Sequence, residues 1–397
     1  MDKFGFVGET TEYKLSDLFN LQMGKTPSRN NAEFWSDGEY KWISIADLTK
    51  TGKYISETKE LLSQKAIDES GIAVIPTNTV VMSFKLSIGK TAITSEDMYS
   101  NEAIMSFHDR HVTELLPEYI YYLLLAQRWD EGANKAVMGM TQNKATLSNR
   151  KVKIHSIIAQ KSIVERLDKL QKLIDDRKTQ LDELETLIKA RFVEMFGDPL
   201  AGTEKWSFQT VGDVADSVDP QPSHRTPPVV EGGIPYVSMK DCNYKNGTID
   251  FAGARKVSPD VLVEHHNRYE LHNGDFIIGK IGTIGNPIFV PKRDDYALSA
   301  NVVLIQPNSS KVSPYFLKET FESSFVERQF LDAKNSTSQA AFGIKKVRNI
   351  KMMNPDMKTQ MEFENFAIQV DKLKVEVQKS LDEMQILFDS LMQEYFG

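Results

Sequence analysis

The stretch GKIGTIGN, residues 279–286, sets Gly279, Gly282 and Gly285 among Lys280, Thr283 and Asn286. A phosphate-cradling loop needs Gly-Lys-Ser/Thr at the opening of a helix; here β-branched runs flank the glycines instead. Two readings stand side by side. One is a tight hairpin. The other is a hairpin whose missing side chains let the backbone come close to DNA, with Lys280 meeting a phosphate or a guanine edge. An earlier stretch, KLSIGK at 85–90, offers Lys85, Ser87, Gly89 and Lys90 in the corresponding place.

A second pair of polar segments is GMTQNKATLSN (139–149) and STSQAAFG (336–343), each ahead of a basic run. Gln and Asn carboxamides can bond adenine bidentately, and Lys can bond guanine or phosphate. Gln142, Asn143, Lys144, Ser338 and Gln339 are therefore candidate contacts. The alternative is that they cap the helix that follows.

Other chemistry finds little support. His265 and His266 are adjacent; on a strand they would point oppositely, with no spaced partner for a metal, so a solvated loop is expected. Cys242, the one cysteine, has no motif linking it to a histidine and reads as packing. Methyl transfer would need an Asn/Asp-Pro-Pro-aromatic segment and a glycine-rich cofactor loop; NPDM (354–357) and FGDP (196–199) supply neither. No nuclease carboxylate cluster and no nucleotide-hydrolysis loop is found, so the chain by itself reads as non-catalytic, with no metal and no bound cofactor.

These segments must be positioned by something, and the chain repeats itself. WISI with Asp47 (42–47) matches YVSM with Asp241 (236–241). VVMSFKLSIGKTAIT (80–94) matches FIIGKIGTIGNPIFV (276–290). PEYIYYLLLAQ (117–127) matches PYFLKETFES (314–323), and MTQNKATLSNRKVKI (140–154) matches STSQAAFGIKKVRNI (336–350). The order is constant, and Phe-Gly closes both copies, at Phe196-Gly197 and Phe396-Gly397. A tandem duplication follows. The 397 residues exceed one ordinary core, and 41% hydrophobic with 26% charged residues is an ordinary globular composition. No apolar run approaches the ~20 residues of a membrane span, and the first residues lack a signal-peptide core. A cytoplasmic protein without a membrane partner is expected. A net charge of −7 argues against a general nucleic-acid coat but leaves room for local basic faces.

Within each copy, short β-branched and aromatic runs broken by Gly, Pro, Asn and Asp read as strands and turns, and PEYIYYLLLAQRW as one helix with a proline start. The last ~40 residues of each copy lack Gly and Pro. Leu167, Leu170, Ile174, Leu181, Leu184 and Ile188 form a heptad seam, interrupted at Arg177. Phe363, Phe366, Val370, Leu373, Val377, Met384, Leu387 and Leu391 form another, interrupted at Ser380. The linker DPLAGTEKW (198–206) is too short to run back along the first helix. A second helix that pairs with the first must therefore return antiparallel. The expected fold class is α+β: two similar β-rich domains separated by two long helices pairing as an antiparallel coiled coil, with a pseudo-two-fold axis. Two-fold DNA readers mirror the symmetry of the duplex.

With NGDFIIGKIGTIGNPIFV (273–290), TSQAAFGIKKVRNIKM (337–352) and the helix from Ile163 to Pro199 in this duplicated order, the chain resembles the specificity subunit of type I restriction–modification systems. The resemblance covers essentially the whole chain. It implies target-recognition domains at 1–155 and 201–352 and helical spacers at 156–200 and 353–397. Each domain would read one half of a bipartite, asymmetric site in double-stranded DNA. The spacers would set the gap and dock two methyltransferase subunits. Restriction (nuclease and translocase) subunits complete such complexes, and S-adenosylmethionine, ATP and magnesium belong to the partner subunits. The Pro-Pro-Leu-Glu-Glu-Gln run of the family is absent; HSIIAQ and NPDMKTQ stand there, and only Gln160 and Gln360 persist. Alternative readings are a coiled-coil protein-binding scaffold and an orphan methylation specificity factor without a nuclease.

Overall fold

The computed structural model describes residues 9–397 apart from 130–133, 137–138, 142, 222, 224, 245, 281–283 and 336–341. The chain divides into two compact units, residues 1–174 with 383–397 and residues 175–382.

In the first unit, strand β1 is Thr10–Lys14 and β2 is Phe19–Met23; β3 is Tyr54–Ile55, β4 Val80–Ser83, β5 Thr91–Thr94 and β6 Ile104–Asp109. The five strands from β2 to β6 form one sheet in the order β2-β6-β4-β5-β3, antiparallel except for the β5–β3 pair. β4 and β5 are buried along their whole length because the sheet is covered. Val81, Ala92 and Ile104 join Ile43, Ile55 and Ile75 in one core cluster, and each large aliphatic buried there contributes ~1.5–3 kcal/mol. Helix α1 (Pro117–Ala126) starts at a proline, buries Tyr119, Tyr122 and Leu123, and lies against β4 and β5. A short helix α2 (Lys144–Asn149) leads into β7 (Lys151–His155), which pairs antiparallel with β1 from His155 opposite Thr10 to Lys151 opposite Lys14. β7 runs directly into the long helix α3, Ile157–Phe196.

The second unit repeats the plan. β8 is Phe208–Thr210 and β9 is Ala215–Val218; helix α4 is Pro259–His266. β10 is Phe276–Gly279, β11 Gly285–Phe289, β12 Val302–Pro307, helix α5 Pro314–Glu322, β13 Lys351–Met353 and the long helix α6 Met357–Phe396. The antiparallel sheet runs β9-β12-β10-β11. β8 pairs with β13 as β1 pairs with β7, and α5 lies on β11.

The long helices are both 40 residues, ~60 Å at 1.5 Å per residue. Ser156 and Asp356 cap them: the Ser156 hydroxyl accepts from the Ala159 N–H at 3.4 Å, and the Asp356 carboxylate from the Thr359 N–H at 2.9 Å. Within the second unit the two helices run antiparallel. Phe192 and Phe196 lie 5.4 and 5.7 Å from Phe363, and Glu185 accepts from the Lys374 ammonium at 2.6 Å. Within the first unit, the Arg166 guanidinium donates to the Tyr395 hydroxyl at 3.4 Å. The first seam stands, with Leu167, Leu170, Ile174 and Ile188 buried. The second seam is corrected. Leu373 is 55% and Leu387 40% exposed, whereas Phe363, Ala367, Val370, Val377 and Leu391 are buried. The seam passes through Ala367 and the ion-paired Lys374, two residue types that an apolar heptad pattern skips.

The two Phe-Gly endings also find their place. Phe196 closes α3 in the core of the second unit, 4.7 Å from Phe316. Phe396 closes α6 in the first unit, 5.3 Å from Tyr119. Each helix thus ends on the proline-started helix of the other copy. Gly197 ends α3 with φ +86°, and a Cβ there would sit 2.1 Å from the Thr203 carbonyl oxygen.

Candidate nucleic-acid interface

The glycine loops connect neighbouring strands of each sheet, β4 to β5 and β10 to β11. The hydrogen-bond pattern gives their equivalence. Phe84 N–H donates to the Ala103 carbonyl and Lys280 N–H to the Asn301 carbonyl, both at 2.9 Å. Gly89 and Gly285 take the matching left-handed conformation, φ +89° and +82°. Lys280 is therefore the counterpart of Phe84, as the match of 80–94 with 276–290 already aligns them, and Lys85 lies one position further on.

That equivalence explains a correction. Lys280 is expected to be a surface cation facing DNA; it is a core residue, 4% exposed, whose ammonium lies 2.6 Å from Asp219 Oδ2. Asp219 follows β9 where Met23 ends β2, in matching register. The positions held in the first unit by buried Phe84 and by Met23, 43% exposed, thus carry an ion pair in the second. The sequence offered no sign of Asp219, because its partner lies 61 residues away.

Gly89 and Gly285 are required by the protein's own rings. A Cβ on Gly89 would lie 2.8 Å from Trp129, and one on Gly285 3.2 Å from Phe330. The tight-hairpin reading accounts for both. The residues left facing outwards are Ser87 and Asn286, both exposed, with Asn286 at φ +54°. Lys85 is half-buried, its ammonium 5.1 Å from the Phe84 ring, and its backbone pairs with Thr141 in a strand from the second polar segment. Lys90, also half-buried, donates to the Thr49 hydroxyl. Gly282 and Thr283 lie outside the described residues.

Of the second set, Asn143 and Lys144 are exposed. Asn143 Oδ1 accepts from the Thr146 N–H at 2.8 Å and caps α2, so the capping role falls on a short helix and not on the spacer. Gln142, Ser338 and Gln339 lie outside the described residues. The structure brings the two sets together in the first unit through the Thr141–Lys85 pairing.

The histidine expectation is corrected in part. The pair sits on helix α4, not on a strand or loop. His266 is exposed, but His265 is fully buried. Its Nδ1 is 2.9 Å from the Tyr269 hydroxyl and its Nε2 2.8 Å from Gln221 Oε1. Burial lowers its pKa to about 4, with Arg268 and His266 adding to the effect. A proline start and a helical repeat, Val261 to His265, were the signals available. Cys242 is a packing residue: it is half-buried beside the cluster of Val237 and Tyr296, its Sγ 3.5 Å from the Ser238 carbonyl, and burial pushes its pKa up to about 11.

A β-sheet domain with a glycine loop, entered and left through a strand pair and followed by a 40-residue helix, occurs twice in one chain; this defines a protein built of two copies of one α/β domain. The family model described as type I restriction modification DNA specificity domain matches residues 8–186 and again 203–383, and the chain belongs to that family. Among relatives, it is 26% identical over 189 residues to the type I restriction enzyme MjaIX specificity subunit of Methanocaldococcus jannaschii, covering 47% of this chain and 43% of that protein. It is 32% identical over 92 residues to the HindI specificity subunit of Haemophilus influenzae, covering 23% and 20%. The matched stretches thus span less than half of these relatives. In fold it is similar to the S subunit of the M. genitalium type I system, with TM-score 0.56, 13% identity and coverage of 98% and 96%. A chain from a study of assembly and conformational transition in a type I system matches with TM-score 0.56, 14% identity and 97% coverage of each. No described helix is long and apolar enough to cross a membrane.

Proposed function

We propose that the chain is the DNA-specificity subunit of a type I restriction–modification complex, each β-rich domain reading one half of a bipartite, asymmetric site in double-stranded DNA. The observation that carries this reading is the second copy: two family domains, each with the same loop in the same register of its sheet. Two different half-readers on one chain suit a site with two different halves. Phosphate and sugar contacts would hold the register while side chains read base edges. Ser87, Asn286, Asn143, Lys144, Lys85 and Lys90 are the described residues we assign to this surface.

The long helices set the gap between half-sites and dock two methyltransferase subunits; restriction subunits would join the same assembly. Methyl transfer and cleavage, with S-adenosylmethionine, ATP and magnesium, belong to those partners, and this chain supplies recognition. Its net charge of −7 fits a protein that shares phosphate neutralisation with partners, since counterion release scales with the cations brought to the duplex.

Methylome sequencing of cells with and without the gene tests the reading. Loss of one bipartite adenine-methylation motif is expected. Exchange of residues 1–155 for the corresponding domain of a relative should then change one half of that motif only; an unchanged methylome, or alteration of both halves, would overturn it.

A further inference from the structure

The two glutamines that persist in the first turns of the long helices, Gln160 and Gln360, occupy matching places in the two units. Gln160 is fully buried and Gln360 is 1% exposed. Gln160 Oε1 accepts from the Leu116 N–H at 3.0 Å, and its Nε2 donates to the carbonyls of Glu114 and His155, both at 2.9 Å. Gln360 Oε1 accepts from the Ser313 N–H at 2.9 Å, and its Nε2 donates to the Pro355 carbonyl at 2.9 Å. Leu116 and Ser313 are the residues that open α1 and α5. His155 ends β7, and Pro355 lies just beyond β13.

One side chain in each unit therefore ties together three backbone segments: the first turn of the long helix, the segment that delivers the chain into it, and the start of the proline-opened helix. The third tie leads to the reading surface. α1 lies on β5, which follows the Gly89 loop, and α5 lies on β11, which begins at Gly285. The residues around the glutamines differ between the copies, HSIIAQ against NPDMKTQ, while the amide and two of its bonds, to the N–H that opens the proline-started helix and to the carbonyl before the long helix, are kept. The amide is the group that fits. Glutamate would turn an oxygen towards carbonyls that now accept, methionine would leave a buried N–H and the carbonyls unpaired, and asparagine is one methylene short. Buried polar groups that lose their partners are costly.

We infer that Gln160 and Gln360 are positioning residues that fix each recognition domain against its own spacer helix, and so determine how strictly the gap between half-sites is measured. The inference rests on the proposed function. Neither glutamine is among the residues assigned to DNA contact, so the two variants should change the tolerated gap and leave both half-site sequences as they are.

The test uses the complete chain assembled with its methyltransferase subunits. Methyl transfer is measured on duplexes carrying the native half-sites at the native gap and at gaps one base pair shorter and longer. For Gln360→Met, and separately Gln160→Met, the preference for the native gap should fall by about tenfold, the equivalent of one or two lost hydrogen bonds. Gln360→Asn, which keeps a polar amide and guards against misfolding of the methionine variant, should fall in the same direction. Leu304→Ala, a core truncation in the sheet of the same unit, controls for stability: it should lower Tm with the gap preference intact. A wild-type preference in the folded asparagine variant, or an equal loss in Leu304→Ala, would overturn the inference while leaving the proposed function standing. A wild-type complex with no gap preference would overturn both.

Discussion

The pair Lys280–Asp219 illustrates how a single position changes meaning with its surroundings. A lysine at a glycine loop suggests a free cation, yet its side chain is 5% exposed and its ammonium is committed to a carboxylate. Removing one partner of a buried pair leaves the other uncompensated, at a cost of ~3 kcal/mol or more. Lys280→Ala should therefore lower Tm by roughly 5–10 °C for a unit of this size, read by thermal unfolding. The double variant Lys280→Phe with Asp219→Met removes both charges, placing the apolar residue types of the matching first-unit positions, and should recover most of that loss. A Tm unchanged in Lys280→Ala would show that the pair is not closed to solvent in solution. His265 gives a second residue-level expectation. Its pKa is lowered to about 4 in the folded unit against ~6.5 unfolded. The unfolded chain then binds a proton that the folded chain refuses, so stability present above pH ~6.5 is lost as pH falls towards 4, on the order of 3 kcal/mol. Glu319, raised to about 7 by burial first and Glu322 second, works in the opposite direction over an overlapping range. The prediction is accordingly a difference: Tm of the wild type should drop more steeply than that of His265→Gln between pH 7 and 4.5. Parallel pH profiles would refute the role assigned to His265.

At the scale of the element, the repeated Phe-Gly ending is a docking device. Phe196 is fully buried among Phe192, Phe316 and Phe363, and Phe196→Ala should cost ~3–5 kcal/mol. Gly197→Ala should also destabilise, because φ +86° is unfavourable for a side chain and a Cβ would meet the Thr203 carbonyl; backbone strain of this kind costs ~1–3 kcal/mol. Denaturant unfolding of both variants checks the ranking, and a Gly197→Ala protein as stable as the wild type would mean that the turn can relax. The other helix joint, at Gln160 and Gln360, governs direction where Phe-Gly governs termination.

At the scale of the molecule, the proposed ruler makes a quantitative claim. Seven residues inserted into α3 near Lys178 and seven into α6 near Lys379 preserve the heptad and add ~10.5 Å to each helix. At ~3.4 Å per base step this is ~3 bp of additional gap. Both half-site sequences should stay as they are, because neither sheet is touched. An insertion in one helix alone should strand part of the seam and destabilise the subunit. The methylated motif in cells carrying the double insertion is the measurement; an active variant with the original gap would show that the helices do not set the spacing.

The sequence by itself determined the duplication, the two long helices, the proline-started helices and the strand-rich character of what lies between, since these are properties of residue type and local period: Val81, Ile93 and Ile104 announce buried strands wherever they fold. Tertiary structure decided what the candidate site residues do. It moved Lys280 into the core, gave Asn143 to a short cap, set Trp129 and Phe330 against the loop glycines and routed the second seam through Ala367 and Lys374. Asn143 caps a turn only three residues away; for the other three the physical reason is common. Solvation, pairing and packing depend on partners distant in sequence, as with Lys280 and Asp219, and local pattern carries no record of where those partners will be.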